Sequence, residues 1–313
     1  MNELLDPMKN PVTYAVPFFL LTVLIELGAL KWLDHDDTAL VTGQRPPTGY
    51  HGRDARTSMS MGAISLLFSL ALKVGSFLVY NAVFVYVTPE SIKLPTDTWW
   101  YWALLILGVD FTFYLSHRFV HRVNIGWAAH QAHHSSEYMN FATALRQKWN
   151  PWFEFVFWLP LPFLGFSPWT IYVAFGFNLI YQFFTHTELI DKLWRPIEFV
   201  MNTPSHHRVH HGSDPEYLDK NYAGIFIIWD RMLGTFVEEK QRPTYGLTKP
   251  VGTHNLIKLQ YGDYAQIWRN VRAADSVRDK LGYLFGPPGW EPPGHRPDPD
   301  LVPIRPPVAP AGT

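Results

Sequence analysis

The sequence predicts an all-α integral membrane protein, with four to five transmembrane helices carrying a cytoplasmic helical cap. Three observations predict it. Long apolar blocks fill the first 185 residues, Lys and Arg are shared unevenly among the segments between them, and histidines cluster at helical spacing just past the block ends.

The blocks run in order. Residues 11–30, PVTYAVPFFLLTVLIELGAL, contain one charge, Glu26. Residues 59–87 form the second block, with Lys73 inside; residues 98–116, TWWYWALLILGVDFTFYLS, form the third, interrupted by Asp110. Residues 152–185 are apolar with a break at Gly165–Pro168, which predicts a hairpin of two short or tilted spans. A bilayer is crossed by about 20 apolar residues, so each block is a span candidate. The first is too long, and lacks the small-residue cleavage pattern, for a signal peptide. Core helices of a soluble enzyme are the competing explanation, and the number of such blocks argues against it. Glu26 and Lys73 are expected near a span end or snorkelling.

Charge sets the orientation. Lys31, Arg45, Arg53 and Arg56 lie between the first two blocks, and only Lys93 between the next two. Arg118, Arg122, Arg146 and Lys148 follow the third. The positive-inside bias places 31–57 and 117–151 in the cytoplasm and the 88–97 loop outside. The N-terminus then faces out, and everything after residue 186 faces in. WWYW at 99–102 falls at the outer interface, where indoles favour the headgroup zone. Residues 1–286 are expected to form one membrane-embedded domain, its cap built from 117–151 and 186–286. Residues 224–236, GIFIIWDRMLGTF, predict a short helix lying on the membrane or on the site. The segment 287–313 carries ten prolines and is expected to hold no regular structure. The membrane is that of a bacterial cytoplasm, or the endoplasmic reticulum in a eukaryote.

Composition excludes several classes. A net charge of −1 gives no basic field for nucleic acid. The absence of Cys removes disulfides, thiolate ligands, iron–sulfur clusters and a CxxC redox pair. There is no internal repeat, glycine-rich phosphate loop, or haem or flavin motif.

The chemistry-bearing residues are histidines. His130, His133 and His134 stand at i, i+3 and i+4, as do His207, His210 and His211. His117 and His121 are spaced i, i+4, as are Gln182 and His186. At this histidine content one HxxHH arises by chance roughly 0.03 times per chain and two roughly a thousandth, so the clusters need a cause. A single metal uses about four imidazoles at most, so nine point to two ions. The cap is thus predicted to hold a histidine-rich dimetal site. Imidazole suits zinc, iron, copper and nickel alike, so ligand type leaves the metal open. Each HxxHH should reach both ions from one short segment, the two segments forming opposite walls, with His117, His121 and His186 completing the shells. The scattered His35, His51, His254 and His295 read as ordinary polar residues; His206 is adjacent to the second cluster but off its face.

HRFVH, HQAHH and HHRVHH, placed after membrane spans, resemble the fatty acid hydroxylase and sterol desaturase superfamily. WAAHQAHHSSEYMNFATALRQ, YQFFTHTE, NTPSHHRVHHGSDPEYLDKNYAGIFIIWDRMLGTF and YGLTKP are more similar to the alkylglycerol monooxygenases. The resemblance covers roughly residues 100 to 290. It implies an integral membrane enzyme whose histidine-bound pair of irons activates O₂ against a lipid C–H bond. It assigns as ligands His117, His121, His130, His133, His134, His207, His210 and His211, with His186 as a further one. Where some members have a tenth histidine this chain has Gln182, a weaker ligand or a water holder. The alkylglycerol enzymes usually carry Glu after the second histidine; Arg122 stands there here, which speaks against tetrahydrobiopterin as the reductant.

Asp110 lies seven residues before His117, two turns up the same face, and its leading expected role is to hold a ligand histidine through its second nitrogen. Glu137, Glu188, Asp219 and Asp230 are further candidates for that role. Spacing gives Asn202, Ser205 and Arg146 no role. The expected function is hydroxylation of a membrane lipid, with desaturation of a sterol or fatty acid as the alternative. Its electrons come from a partner protein or a small reductant. Two readings of other classes compete. A di-zinc lipid hydrolase would show zinc and no O₂ uptake, and a metal transporter would place its ligands mid-span along a pathway.

Overall fold

The structure is a computed structural model that describes residues 11–32, 49–150 and 153–293. Several expectations fall outside those residues: His35, Arg45 and His295, the tail beyond 293, and the start of the hairpin at 152. The Lys31 side chain is also outside them. Among the described residues all regular structure is helical, with two isolated antiparallel bridges, Met201–Phe226 and Gly212–Tyr245.

Helix α1 (Pro11–Trp32) buries Ala15, Phe19, Val23 and Glu26, positions that share one face. Phe19 stacks on Phe183, ring centroids 4.1 Å apart, while Phe18, Leu21, Leu24 and Ile25 face outward. Helix α2 (Gly52–Ala82) continues into a π-helical turn, Val83–Val87. Its first turns bury Asp54, Thr57, Ser58, Met61 and Ser65; beyond them Leu66, Leu67, Leu70 and Leu78 are exposed. Polar residues inside and apolar ones outside invert the soluble pattern, as a lipid surround requires.

Helix α3 (Trp99–Arg122) does not stop where the apolar block does. No Gly or Pro interrupts its last turns, and its buried face continues through Ser116, His117, Val120 and His121. The first histidine pair therefore rides on the end of a span helix. Gly52–Val87 and Trp99–Arg122 are long and apolar enough to cross a membrane; Tyr14–Leu30 and Glu154–Phe163 are shorter apolar stretches.

The predicted hairpin of two spans takes a different form. Its first limb is a 3₁₀ turn, Glu154–Phe157, and a four-residue helix α6 (Pro160–Phe163). Pro160 and Pro162 lack the N–H groups a continuous helix needs. Gly165, at φ +89°, turns the chain under the Ile92 carbonyl, where a side chain would clash. Only the second limb, α7 (Pro168–Phe183), is a sustained helix, and its 16 residues reach about 24 Å. Tyr80, Tyr101, Leu105, Val109, Trp158, Leu161 and Ile171 form the apolar core that joins these elements.

Between α3 and α6 lie α4 (Asn124–His134) and α5 (Phe141–Ala144), the latter capped by the Asn140 side chain at the Thr143 N–H, 3.1 Å. After α7 come α8 (Arg195–Val200), α9 (Pro204–His210) and α10 (Ile228–Met232). Helices α11 (Leu256–Ala273) and α12 (Val277–Phe285) close the fold. α11 backs the histidine helix: Gln131 donates to the Leu259 carbonyl at 2.9 Å. The first residues of the proline-rich tail pack against α12, with Trp290 edge-on to Tyr283 at 5.3 Å.

Candidate metal centre

All nine clustered histidines are buried, and their ring nitrogens converge in two groups. His117, His121, His130, His134 and His210 form one; His133, His186, His207 and His211 form the other. Within each group the ligand atoms lie within 4.8 Å of one another. Helix geometry explains the division. Residues i and i+4 differ in direction by about 40°, but adjacent residues by about 100°. His130 and His134 therefore enter the first group together and His133 the second. His207 and His211 enter the second together and His210 the first.

The donors fit a metal. His117 Nδ1 donates to the Tyr222 carbonyl at 2.8 Å, His133 to Arg146 at 3.2 Å, His186 to Gln182 at 2.8 Å and His210 to Lys220 at 3.0 Å. Each bond puts the proton on Nδ1 and leaves the Nε2 lone pair facing the group. The lone pairs of His133 and His186 face each other at 3.4 Å. Nε2 of His117 lies 3.0 Å from Nε2 of His130, and Nε2 of His186 lies 3.0 Å from Nε2 of His207. Facing lone pairs repel unless a cation lies between them, and such spacings match ligands about 2.0–2.1 Å from one ion. Nε2 of His121, His210 and His211 is buried with no hydrogen-bond partner, a costly arrangement that a metal resolves.

Burial pushes the imidazoles of His130, His133, His134, His207, His210 and His211 well below the usual histidine range, and neighbouring imidazoles add to the shift. His186 is pushed down to about 4 by burial. The neutral form is the one a metal binds.

The surrounding carboxylates divide their work differently from the expectation. Asp110 holds no histidine. It accepts from the Ile225 and Phe226 N–H at 2.6 and 2.9 Å, the Trp229 indole at 2.9 Å and the Asn178 amide at 2.6 Å. The turn-counting argument missed that the loop after Gly224 arrives at this face. Gly224 itself sits against Asp110 and Asn178, where a Cβ would lie 2.6 Å from the carboxylate. Gln182 gives its side chain to Asn178 and its backbone carbonyl to His186. Asn178, Gln182 and His186 thus form an i, i+4, i+8 series whose first member the sequence reading passed over.

Asp219 is the carboxylate beside a clustered histidine: Oδ1 is 3.7 Å from His121 Nδ1, and Oδ2 accepts from Arg122 at 3.1 Å. Burial alone would raise its carboxyl, but His121 and Arg122 hold it below the ordinary value. Asp230 accepts from the Tyr222 and Ala223 N–H at 2.8 Å each, and so fixes the loop whose carbonyl serves His117. Burial lifts its carboxyl to about 6. Glu188 is taken by Arg242 and Tyr245. Glu137 lies against Gly246. Glu26, expected near a span end, is buried and accepts from Tyr50 at 2.5 Å, Thr187 at 2.5 Å and the Phe141 N–H at 2.7 Å.

His206 has a structural task. Its Nδ1 meets the Thr203 N–H in the capping box of α9, and its Nε2 lies 3.0 Å from Glu198. Burial opposes ionisation of Glu198, yet His206 and the Leu193 N–H hold its carboxyl down at about 2. Asn202, given no role by spacing, bonds the Ala223 and Gly224 carbonyls.

The family model for fatty acid hydroxylase matches residues 102–235, which contain all nine histidines. Alkylglycerol monooxygenase of Danio rerio is 41% identical over 288 residues, 92% of this chain and 61% of that protein. The Homo sapiens enzyme of that name is 41% identical over 297 residues, 93% of this chain and 62% of its own. The Xenopus tropicalis enzyme is 45% identical over 240 residues, 76% and 53% respectively. The chain spans about half to three fifths of the length of these relatives. No solved structure matches it. Glu26 and Asp54 lie outside the matched residues, on the two N-terminal helices.

Proposed function

We propose that this chain is a membrane-bound non-haem di-iron oxygenase that hydroxylates a lipid C–H bond, in the manner of the alkylglycerol monooxygenases it resembles. The observation that carries the reading is the pair of adjoining, buried, all-imidazole groups inside the residues that the fatty acid hydroxylase family model matches. In the overall reaction a C–H bond, O₂, two electrons and two protons give C–OH and water, and an external reductant supplies the electrons. Two irons bound there supply the redox chemistry that no side chain of this chain can. The protein does the rest. The Tyr222, Arg146, Gln182 and Lys220 carbonyls fix four ligand tautomers, and Asp219 orients His121. Burial keeps the imidazoles neutral and excludes water from the reacting centre.

In this reading residues 1–286 form one membrane-embedded unit, with the histidines on the cytoplasmic side and 287–313 as a tail. A reporter fused at Lys93 tests the sidedness: it should read as external, and a cytoplasmic signal overturns the topology. The activity test supplies membranes containing the protein with an alkylglycerol, O₂ and a reductant, and follows the product by mass. A gain of one oxygen and about two irons per chain support the proposal. Loss of two hydrogens assigns desaturation. Zinc without iron in a protein of full activity overturns it.

A further inference from the structure

The Arg146 side chain, in a buried ion pair with Asp54, has no role assigned so far. Arg146 is 1% exposed and Asp54 6%. Every guanidinium nitrogen is engaged: Nε with Ser58 Oγ at 3.0 Å, Nη1 with Ser135 Oγ at 2.8 Å, and Nη2 with the Asp54 carbonyl at 3.2 Å and Asp54 Oδ1 at 2.5 Å. Asp54 Oδ2 accepts from Ser136 Oγ at 2.7 Å. Ser135 and Ser136 directly follow the His133–His134 pair. One charged pair therefore grips the chain just after the first cluster and again at residue 146, and anchors both to α2. The Arg146 carbonyl then accepts from His133 Nδ1 at 3.2 Å.

We infer that Asp54 and Arg146 are positioning residues for the His133, His186, His207 and His211 group, acting through the Arg146 carbonyl on His133. The inference rests on the dimetal reading above. An apolar pair of equal volume would stabilise the fold as well or better, because desolvating two charges is expensive. What the guanidinium adds is direction: its planar donors fix residue 146 against Ser58, Ser135 and Asp54 together. The carbonyl is thereby fixed, and with it the tautomer and tilt of His133, whose Nε2 faces His186 Nε2 at 3.4 Å. Asp54 stands on α2, before the matched residues begin at 102, so the ligand geometry depends on a helix outside them.

The test titrates metal-free full-length protein with Co(II), whose ligand-field spectrum reports coordination, in the wild type and in Asp54→Asn, Arg146→Lys, Arg146→Gln and His133→Ala. The wild type should take two ions. Asp54→Asn should weaken one of them by about 10–100-fold and leave the spectrum of the other unchanged. Arg146→Lys, which keeps the charge opposite Asp54, should recover part of the loss seen in Arg146→Gln. Asp54→Asn should add nothing in a His133→Ala background, since the two act in series. If Asp54→Asn alone does not insert, Asp54→Asn/Arg146→Gln, which leaves no unpaired charge, carries the same comparison. Unchanged affinity at both groups, equal loss at both, or additive losses with His133→Ala overturn the inference. A wild type that takes no Co(II) at all overturns the dimetal reading itself, and the inference with it.

Discussion

Thr187 donates its hydroxyl to the Glu26 carboxylate at 2.5 Å, and so ties the first helix to the residue that follows His186 of the four-histidine group. Tyr50 and the Phe141 N–H complete the set of donors. Three donors on one carboxylate cannot all be kept by an amide, which replaces one acceptor oxygen with a donor. Glu26→Gln should cost about 1–3 kcal/mol for the buried group left unmatched. A melt in detergent should fall by roughly 5 °C. An unchanged melting temperature would mean the contacts carry no stability.

Asp110→Asn should leave the protein inserted but loosen the segment from Ile225 to Trp229, since the amide cannot accept all four bonds. That segment follows Tyr222, whose carbonyl holds His117. Metal affinity at the five-histidine group is expected to drop about 10-fold or more. Wild-type metal binding in this variant would assign Asp110 to packing alone.

An alanine scan of the histidines should separate into three classes. Each of the nine converging histidines should lose turnover. Loss of metal should fall on one group only, the five-histidine one for His117→Ala and the four-histidine one for His186→Ala. His206→Ala should keep its metals and lose about 1 kcal/mol through the cap of α9. His51→Ala and His254→Ala should be nearly silent: His51 stacks on Tyr138, and His254 meets Thr57 Oγ1 at 3.4 Å and the His51 ring at 6.5 Å, all outside the two groups. If clustered and scattered histidines score alike, the centre has been misplaced.

Acid should unfold the metal-free protein early. Burial holds His186 at about 4 and six other clustered histidines well below their ordinary range. The unfolded chain takes up these protons near pH 6.5 while the folded chain does not, so stability is complete above that value and is lost as pH falls. Each histidine adds a slope of about 1.4 kcal/mol per pH unit, which for His186 ends near pH 4. Melting temperatures of metal-stripped protein between pH 7.5 and 5 should drop steeply, and bound metal should flatten the curve. A flat profile without metal would contradict neutral burial.

The sequence by itself determined what is local. Apolar runs and their charges made helices with outward apolar faces, because a helix in lipid must hide its polar groups within itself. The i, i+3, i+4 spacing of His130, His133 and His134 forced those side chains toward one region, because 3.6 residues make a turn. Prolines 160 and 162 were also visible, and their missing donors account for the broken first limb of the predicted hairpin. Tertiary structure decided everything that depends on distant backbone. The Tyr222 carbonyl reaches His117 across 105 residues and the Ile225 N–H reaches Asp110 across 115, and carbonyl and amide groups are the same in every residue. No pattern of side chains encodes which of them will arrive. For the same reason Asp110, two turns from His117 on its own helix, serves a loop instead, while Asp54 reaches Ser136, just past the first cluster, without any spacing that announces it.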